Sequence, residues 1–399
     1  MMAGRRPIVF LLIAIVFLSL FFRHAHRAPK RHYCDFRVYY ATGARFIAKE
    51  DIYSRPQESI TPYKYSPMFA LVMCPLSLLS PQAASLVFFT INFILLILAF
   101  VLSRKLIVQE NISFKQRVFL YVATIMMTSR FILQVLDSGQ VGILILSLII
   151  IGLYLVQREK DVLGAAFLGF AVMVKYMPVV FLPYFLVKKK FKLAFFMGLF
   201  ILFYCVIPAL YVGGVQNIDY MRRWLPFISQ TSFDGGSWYD YKNQSLFSLV
   251  LRYFTASSPY KISIAHLTFQ QGLLIACGIG LILYLLAIFP QKRSSSPNSI
   301  EYSLLFICMT LLNPNAWMHN FVVFIFVYMT LLYYPIKVHL KDRVTLILVI
   351  LSFMLMSWAS ESLVGDNLEN LFEQLSSVTI GALLLCVSLL RIKFKRISA

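Results

Sequence analysis

The sequence predicts an all-α polytopic membrane protein, and three observations carry that prediction. Of its 399 residues, 59% are hydrophobic and 14% charged, against about 45–50% and about 25% in soluble domains. The apolar residues come in long runs. At roughly 20 residues per crossing, about twelve spans would take about 240 residues, which leaves little for a soluble domain. The formal charge of +20 collects in short clusters between those runs, as at Arg104-Lys105, Lys188-Lys189-Lys190, Gln291-Lys292-Arg293 and Lys341-Asp342-Arg343. Loops on the cytoplasmic side of a membrane carry charge in this way, whereas a nucleic-acid partner calls for one basic face. Cytosolic enzymes, disulfide scaffolds and nucleic-acid modules are therefore excluded.

Taken in order, Ile8 to Phe22 follows Arg5-Arg6, and Arg23-His24-Ala25-His26-Arg27 offers no small-residue cleavage site. An uncleaved first span is expected there, followed by an external loop over 23–66. Met68 to Leu79, interrupted by Pro75, is too short to cross and reads as re-entrant or interfacial. Further spans are expected at 83–102, 118–136, 141–156, 162–174, 176–187, 193–213, 266–289, 301–313, 319–334, 344–360 and 377–390. The pair 162–174 and 176–187 is distinctive, since each half is too short to cross upright. Joined at Lys175-Tyr176-Met177-Pro178, they predict a V that brings Lys175 to membrane depth, where non-helical backbone must be buried or line a cavity.

Alternation from a cytoplasmic N-terminus puts the basic clusters and the C-terminus inside and the acidic stretch Glu361 to Glu373 outside. The loop 23–66 disagrees, because Arg23, Arg27, Lys30, Arg31, Arg37, Arg45, Lys49, Arg55 and Lys64 would all face outward. So many outward cations ask for an anion such as a lipid phosphate. The scattered cysteines carry no metal or redox pattern and read as small apolar residues. Residues 1–399 form one membrane domain without internal repeats.

With that topology, the polar segments that are not simply basic fall on one external face. They are Cys34 to Arg37, Tyr63 to Pro67, Asp137 to Gln140, Lys175, Asp234 to Ser245 and Asn313 to Asn320. Polar groups at membrane depth are expensive and mark function, so their convergence predicts one site near the outer surface. A transporter or a lipid-linked glycan flippase is the alternative. It would be expected to show paired repeats, matched broken helices and polar groups at the midplane.

The string Asp35-Phe36-Arg37-Val38-Tyr39-Tyr40, then Tyr53 and Tyr63-Lys64-Tyr65-Ser66-Pro67, resembles the first external loop of glycosyltransferase family 87. Gly139-Gln140, Lys175-x-x-Pro178, Asn243-Gln244-Ser245-Leu246 with Arg252, and Asn313-Pro314 leading to Trp317-Met318-His319 follow in that family's order. The resemblance implies a C-type bundle of about twelve helices with its active site at the extracytoplasmic face of a bacterial inner membrane. It implies a polyprenyl-phosphate-linked sugar as donor substrate, and a glycolipid or lipid-linked glycan as acceptor. The sugar it implies is a hexose, mannose in the phosphatidylinositol-mannoside enzymes, transferred with inversion. Asp35 stands in the family's position for the general base.

The departing phosphate needs cations as charge builds on its oxygens. Lys175, Lys64, Arg37 and Arg252 are the candidates, and the sequence does not decide among them. His319, Tyr63, Tyr65, Gln140, Asn243, Gln244 and Trp317 are candidates for the sugar or acceptor. No carboxylate cluster calls for a metal, and no cofactor is expected beyond the donor itself. Plainer roles compete with these. Asp35 pairs with Arg31 or Arg37, Lys175 snorkels, His319 caps a helix, and Gly139-Gln140 starts one. Trp224, Trp238, Tyr239 and Tyr241 fit an external aromatic belt. Asn243-Gln244-Ser245, formally a glycosylation sequon, reads as structural or as part of the site.

Overall fold

The computed structural model describes residues 6–27, 34–54, 62–108, 110–230, 235–289, 299–337 and 342–395. Arg31, Lys30, Arg55, Asp234, the 291–293 cluster and Lys341 lie outside them. Among the described residues there is no β-strand, only an isolated bridge between Thr255 and Leu267.

The chain runs through α1 (Arg6–Arg27), α2 (Cys34–Ile47), α3 (Pro67–Ser77), α4 (Pro81–Ile107), α5 (Phe114–Ser138), α6 (Gly142–Gln157) and α7 (Asp161–Val174). It continues with α8 (Phe181–Val187), α9 (Phe191–Val206), α10 (Ala209–Val212), α11 (Gly214–Gln230), α12 (Gly235–Tyr239), α13 (Leu246–Phe254) and α14 (Phe269–Ile288). The last six are α15 (Ser299–Leu311), α16 (Phe324–Lys337), α17 (Arg343–Phe353), α18 (Glu361–Val364), α19 (Asp366–Gln374) and α20 (Ser377–Lys395). Every apolar run expected to span forms helix. Among the described residues, six helical stretches are long and apolar enough to cross a membrane alone: 81–107, 114–138, 191–212, 269–288, 318–336 and 377–394. Apart from α1, the other apolar helices are 10–17 residues long, so the lengths do not confirm a count of twelve full crossings. The protein is a multi-pass, all-α membrane protein.

Helix starts follow local chemistry. Ser66, Ser80, Ser113, Ser245 and Thr268 accept backbone N–H bonds at the heads of α3, α4, α5, α13 and α14, where the first-turn donors lack partners. The α5–α6 reversal turns on Gly139, whose φ of +67° is left-handed. A Cβ there would also lie 2.7 Å from Phe36 Cβ, so glycine is needed for both backbone and space.

The V expected around Lys175 is present. Gly152 and Gly164 let α6 and α7 pack as a tight antiparallel hairpin. The α7 helix then runs alongside α9 in the same direction, with Gly169 against Phe200 and Met173 beside Cys205. Between them the chain doubles back. Lys175 is extended (φ −152°, ψ 128°), Pro178 opens a 3-10 turn, and α8 descends beside α15. Tyr176 therefore meets Asn313 at one end of α15, while Tyr184 and Lys188 meet Glu301 at the other. The basic chain ends share that second end of the bundle. Lys105 and Arg158 both lie over Tyr154, and Arg391 approaches Asp342.

Three of the nine cations of the loop 23–66 are engaged within the protein. Arg23 pairs with Asp137, Arg45 donates to the Ser54 carbonyl, and Lys49 lies over the Tyr211 ring. Of these three, Arg23 gains a counter-charge. Trp224 and Trp238 also depart from the aromatic-belt expectation, being 6% and 1% exposed. Trp238 is packed edge-on against Phe247 and Phe269.

Candidate active site

At the apex end of the V lies a cavity of about 360 Å³, within the range of small-molecule sites. It is assembled from elements far apart in sequence. Asp35, Val38 and Tyr39 come from α2, and Lys64 and Tyr65 from the segment before α3. Gln140 comes from the α5–α6 turn, Lys175 from the break after α7, and Trp224 from α11. Asn313, Asn315, Trp317 and His319 come from the loop between α15 and α16.

Local structure delivers each side chain. Asp35 occupies the first turn of α2, where a carboxylate suits the helix dipole, and the same helix buries Phe36, Val38 and Tyr39 behind it. Ser66 caps α3 and donates its hydroxyl to the Met173 carbonyl at 2.5 Å, which fastens the Lys64–Tyr65 segment to the end of α7. Lys175 Nζ donates to Asn320 Oδ1 at 2.5 Å, and Asn320 Nδ2 donates in turn to the Asn315 carbonyl at 3.1 Å. Gly142 admits the His319 carbonyl, which would lie 2.8 Å from a Cβ there, so the His319 segment sits flush against α6.

Burial pushes the Asp35 carboxyl above the usual carboxylate range. The polar side chain of Gln140 and the ammonium groups of Lys175 and Lys64 pull the other way. A half-buried carboxylate with two cations in electrostatic reach has the makings of a proton acceptor opposite an anion site. Among the described residues, no group of three His, Cys, Asp or Glu is arranged to hold a metal ion.

Of the residues singled out from sequence, the cavity brings together Asp35, Lys64, Tyr65, Gln140, Lys175, Trp317 and His319. Arg37 is exposed and off the lining. Tyr63 is buried behind the wall and donates to the Ser66 carbonyl at 2.8 Å. Arg252, Asn243 and Gln244 sit in a separate buried knot. Arg252 donates to the Asp240 and Asn243 carbonyls and to Ser376 Oγ. Asn243 Nδ2 donates to the Ser237 and Pro314 carbonyls, and its Oδ1 accepts from the Ser245 and Ala316 amides. Gln244 Nε2 donates to the Tyr241 and Glu373 carbonyls.

Tyr39, Asn320 and Trp224 were not singled out as site residues. Asn217, Tyr220 and Trp224 are the buried face of α11. That i, i+3, i+7 spacing was the available signal for Trp224.

The sequence profile of glycosyltransferase family 87 matches residues 63–314. Fold and match together define a membrane glycosyltransferase. Because the matched stretch is more than half of the chain, the protein belongs to glycosyltransferase family 87. An alpha-(1->3)-arabinofuranosyltransferase of Corynebacterium glutamicum is 28% identical over 224 residues, 54% of this chain and 50% of the relative. The chain thus spans about half the length of that curated relative. By its name the relative transfers a pentofuranose, not the hexose that the sequence resemblance implied. Lys64, Tyr65, Gln140 and Lys175 fall inside the family match, Asp35 ahead of it, and Trp317 and His319 just past its end.

Proposed function

We propose that this protein transfers a glycosyl group from a polyprenyl-phosphate donor to a hydroxyl of a lipid-linked or glycan acceptor, with inversion, at the extracytoplasmic face of the membrane. The observation that carries this is the cavity in which Asp35 shares a lining with Lys64 and Lys175. The acceptor oxygen attacks the anomeric carbon as its proton passes to Asp35. The bond between that carbon and the phosphate oxygen breaks, and the phosphate leaves with the electron pair. Lys175 and Lys64 meet the charge that develops on it. Trp317, Tyr65 and His319 are suited to hold the sugars. A phosphate monoester is a sufficient leaving group without a strong general acid.

The family resemblance points to mannose, and the relative's name favours arabinofuranose as a second reading. Vesicles carrying the protein, supplied with a native lipid extract and either radiolabelled polyprenyl-phosphate mannose or polyprenyl-phosphate arabinofuranose, separate the two. Label should pass to a glycolipid from one donor, and Asp35→Asn should lower that rate by about 10²–10⁴-fold. An Asp35→Asn protein that transfers sugar at the normal rate removes Asp35 as base. Donor that crosses the bilayer without transfer replaces the enzyme by a flippase.

A further inference from the structure

Lys175 joins the cavity wall from an extended residue between α7 and the 3-10 turn, and four rotatable bonds separate its ammonium from that backbone. One contact fixes where the ammonium sits. Lys175 Nζ donates to Asn320 Oδ1 at 2.5 Å, and Asn320 Nδ2 donates to the Asn315 carbonyl at 3.1 Å. An ammonium only donates and a carbonyl only accepts. Turning the Asn320 amide over would set donor against donor at one end and oxygen against oxygen at the other. The amide therefore has one orientation, with its oxygen toward Lys175.

The loop that carries Asn320 is itself tied down. The Asn315 carbonyl accepts a second amide, Asn313 Nδ2 at 3.0 Å, and the Asn315 N–H donates to Asn313 Oδ1 at 3.2 Å. The Asn320 N–H donates to the Trp317 carbonyl at 2.8 Å. Between them Ala316, 0% exposed, donates to Asn243 Oδ1 at 3.1 Å and accepts from the Gln244 N–H at 2.9 Å.

Asn320 does not line the main cavity. It faces a smaller space of about 30 Å³ that it shares with Lys175, Thr310 and Asn313, so that Lys175 borders both spaces. A ligand in the main cavity thus meets Lys175 and not Asn320. The acceptor is also neutral. A carboxylate at this place would hold the ammonium and cancel its charge, whereas an amide takes one of its three hydrogens and leaves the charge to act on an anion.

We propose that Asn320 is a positioning residue for Lys175: a neutral acceptor, oriented by the Asn315 carbonyl, that fixes the ammonium at the cavity wall for a lipid-linked phosphate. Its bearing on sugar transfer rests on Lys175 meeting the donor phosphate, as proposed above.

Binding of a short-chain polyprenyl phosphate and of the matching polyprenol to the full-length protein in lipid nanodiscs tests this without any sugar donor. Lys175→Met should weaken the phosphate and spare the alcohol. Asn320→Leu should weaken the phosphate about 10-fold, the scale of one hydrogen bond to a charged group, again sparing the alcohol. In the Lys175→Met background it should add nothing, because the two side chains act as one unit. Asn320→Ala carries the same test if Asn320→Leu does not fold. Asn320→Asp, of the same size, should cost more than Asn320→Leu, since its charge opposes the phosphate and pairs with the ammonium. Sugar transfer should fall in the same order. Equal losses for phosphate and alcohol, equal losses with and without Lys175, or phosphate binding unchanged in the Asn320 variants overturn the proposal. Lys175→Met that binds the phosphate normally overturns it as well, and removes Lys175 from the phosphate site. If binding follows the expected pattern while the unaltered protein transfers no sugar, the glycosyl-transfer reading falls and the positioning of Lys175 stands.

Discussion

Two polar clusters occupy the same end of the bundle, separated by the loop from Asn313 to His319, and their chemistry is opposite. Around the cavity, Asp35, Lys64 and Lys175 line open space. In the knot behind it, Arg252, Asn243 and Gln244 are 0% exposed and spend their donors chiefly on backbone carbonyls. Residues of the same type and of equal weight in sequence thus divide into site and scaffold. The division follows where their hydrogen bonds go. A buried polar group satisfied by backbone is fixing a loop, and one that faces a cavity is available to a ligand.

The sharpest way to break this comparison is to remove one cation from each cluster. Lys175→Met should lower sugar transfer by about 10²–10³-fold, the scale of losing one preorganised electrostatic contact to a developing oxyanion. Thermal unfolding should change little, because a single side-chain bond to Asn320 is lost. Arg252→Met should do the reverse. It leaves the Asp240 and Asn243 carbonyls and Ser376 without their guanidinium partner, at about 1–3 kcal/mol for each buried group left unsatisfied. Transfer per folded molecule should be preserved. Parallel measurement of melting and of specific activity checks both, and a stable but inactive Arg252→Met would move Arg252 from scaffold to site.

How much of this was legible in the sequence depended on the range of the interaction. The apolar runs marked the helices expected to span, because lipid-facing and core-facing segments are both apolar and need only length to be seen, whereas α2, α11 and α13 carry no long apolar run and read as parts of external loops. The V was visible for local reasons too, with two short runs meeting at Lys175 and Pro178. The convergence of Asp35, Gln140, Lys175 and His319 could be inferred only from the alternating topology and the order of motifs, since nothing local joins residues so far apart. What could not be read was the identity of partners. Arg23 finds Asp137 across 114 positions, and Arg252 finds carbonyls, which no side-chain pattern announces. The cations of the loop 23–66 therefore looked like one anion-binding set, although folding engages several of them elsewhere. Trp224 looked like a belt residue because the packed face of α11 interrupts no apolar run.

The smallest effect concerns titration, and it separates the two clusters once more. Glu373 lies in the knot, where its carbonyl accepts from Gln244 and its carboxylate meets Arg130 at 2.8 Å. Glu369 claims the same guanidinium nitrogen at 2.5 Å. Burial pushes the Glu373 carboxyl up from 4.5 to about 7, opposed by Arg130 and assisted by the neighbouring charge of Glu369. A carboxyl whose value is raised on folding binds its proton more tightly in the native state. Its contribution is therefore complete below the unfolded value and is lost as pH rises through about 7. Between pH 6 and pH 8 the loss is about 1 kcal/mol, or roughly 2 °C in the melting temperature of a protein of this size. Glu373→Gln should flatten that slope and melt higher than the unaltered protein at pH 8, with the pH profile of transfer unchanged. Protonation in the knot would then appear in stability and protonation of Asp35 in rate. If the unaltered protein instead melts higher at pH 8 than at pH 6, Arg130 holds Glu373 ionised as a true ion pair, and the knot is held by charge as well as by hydrogen bonds to backbone.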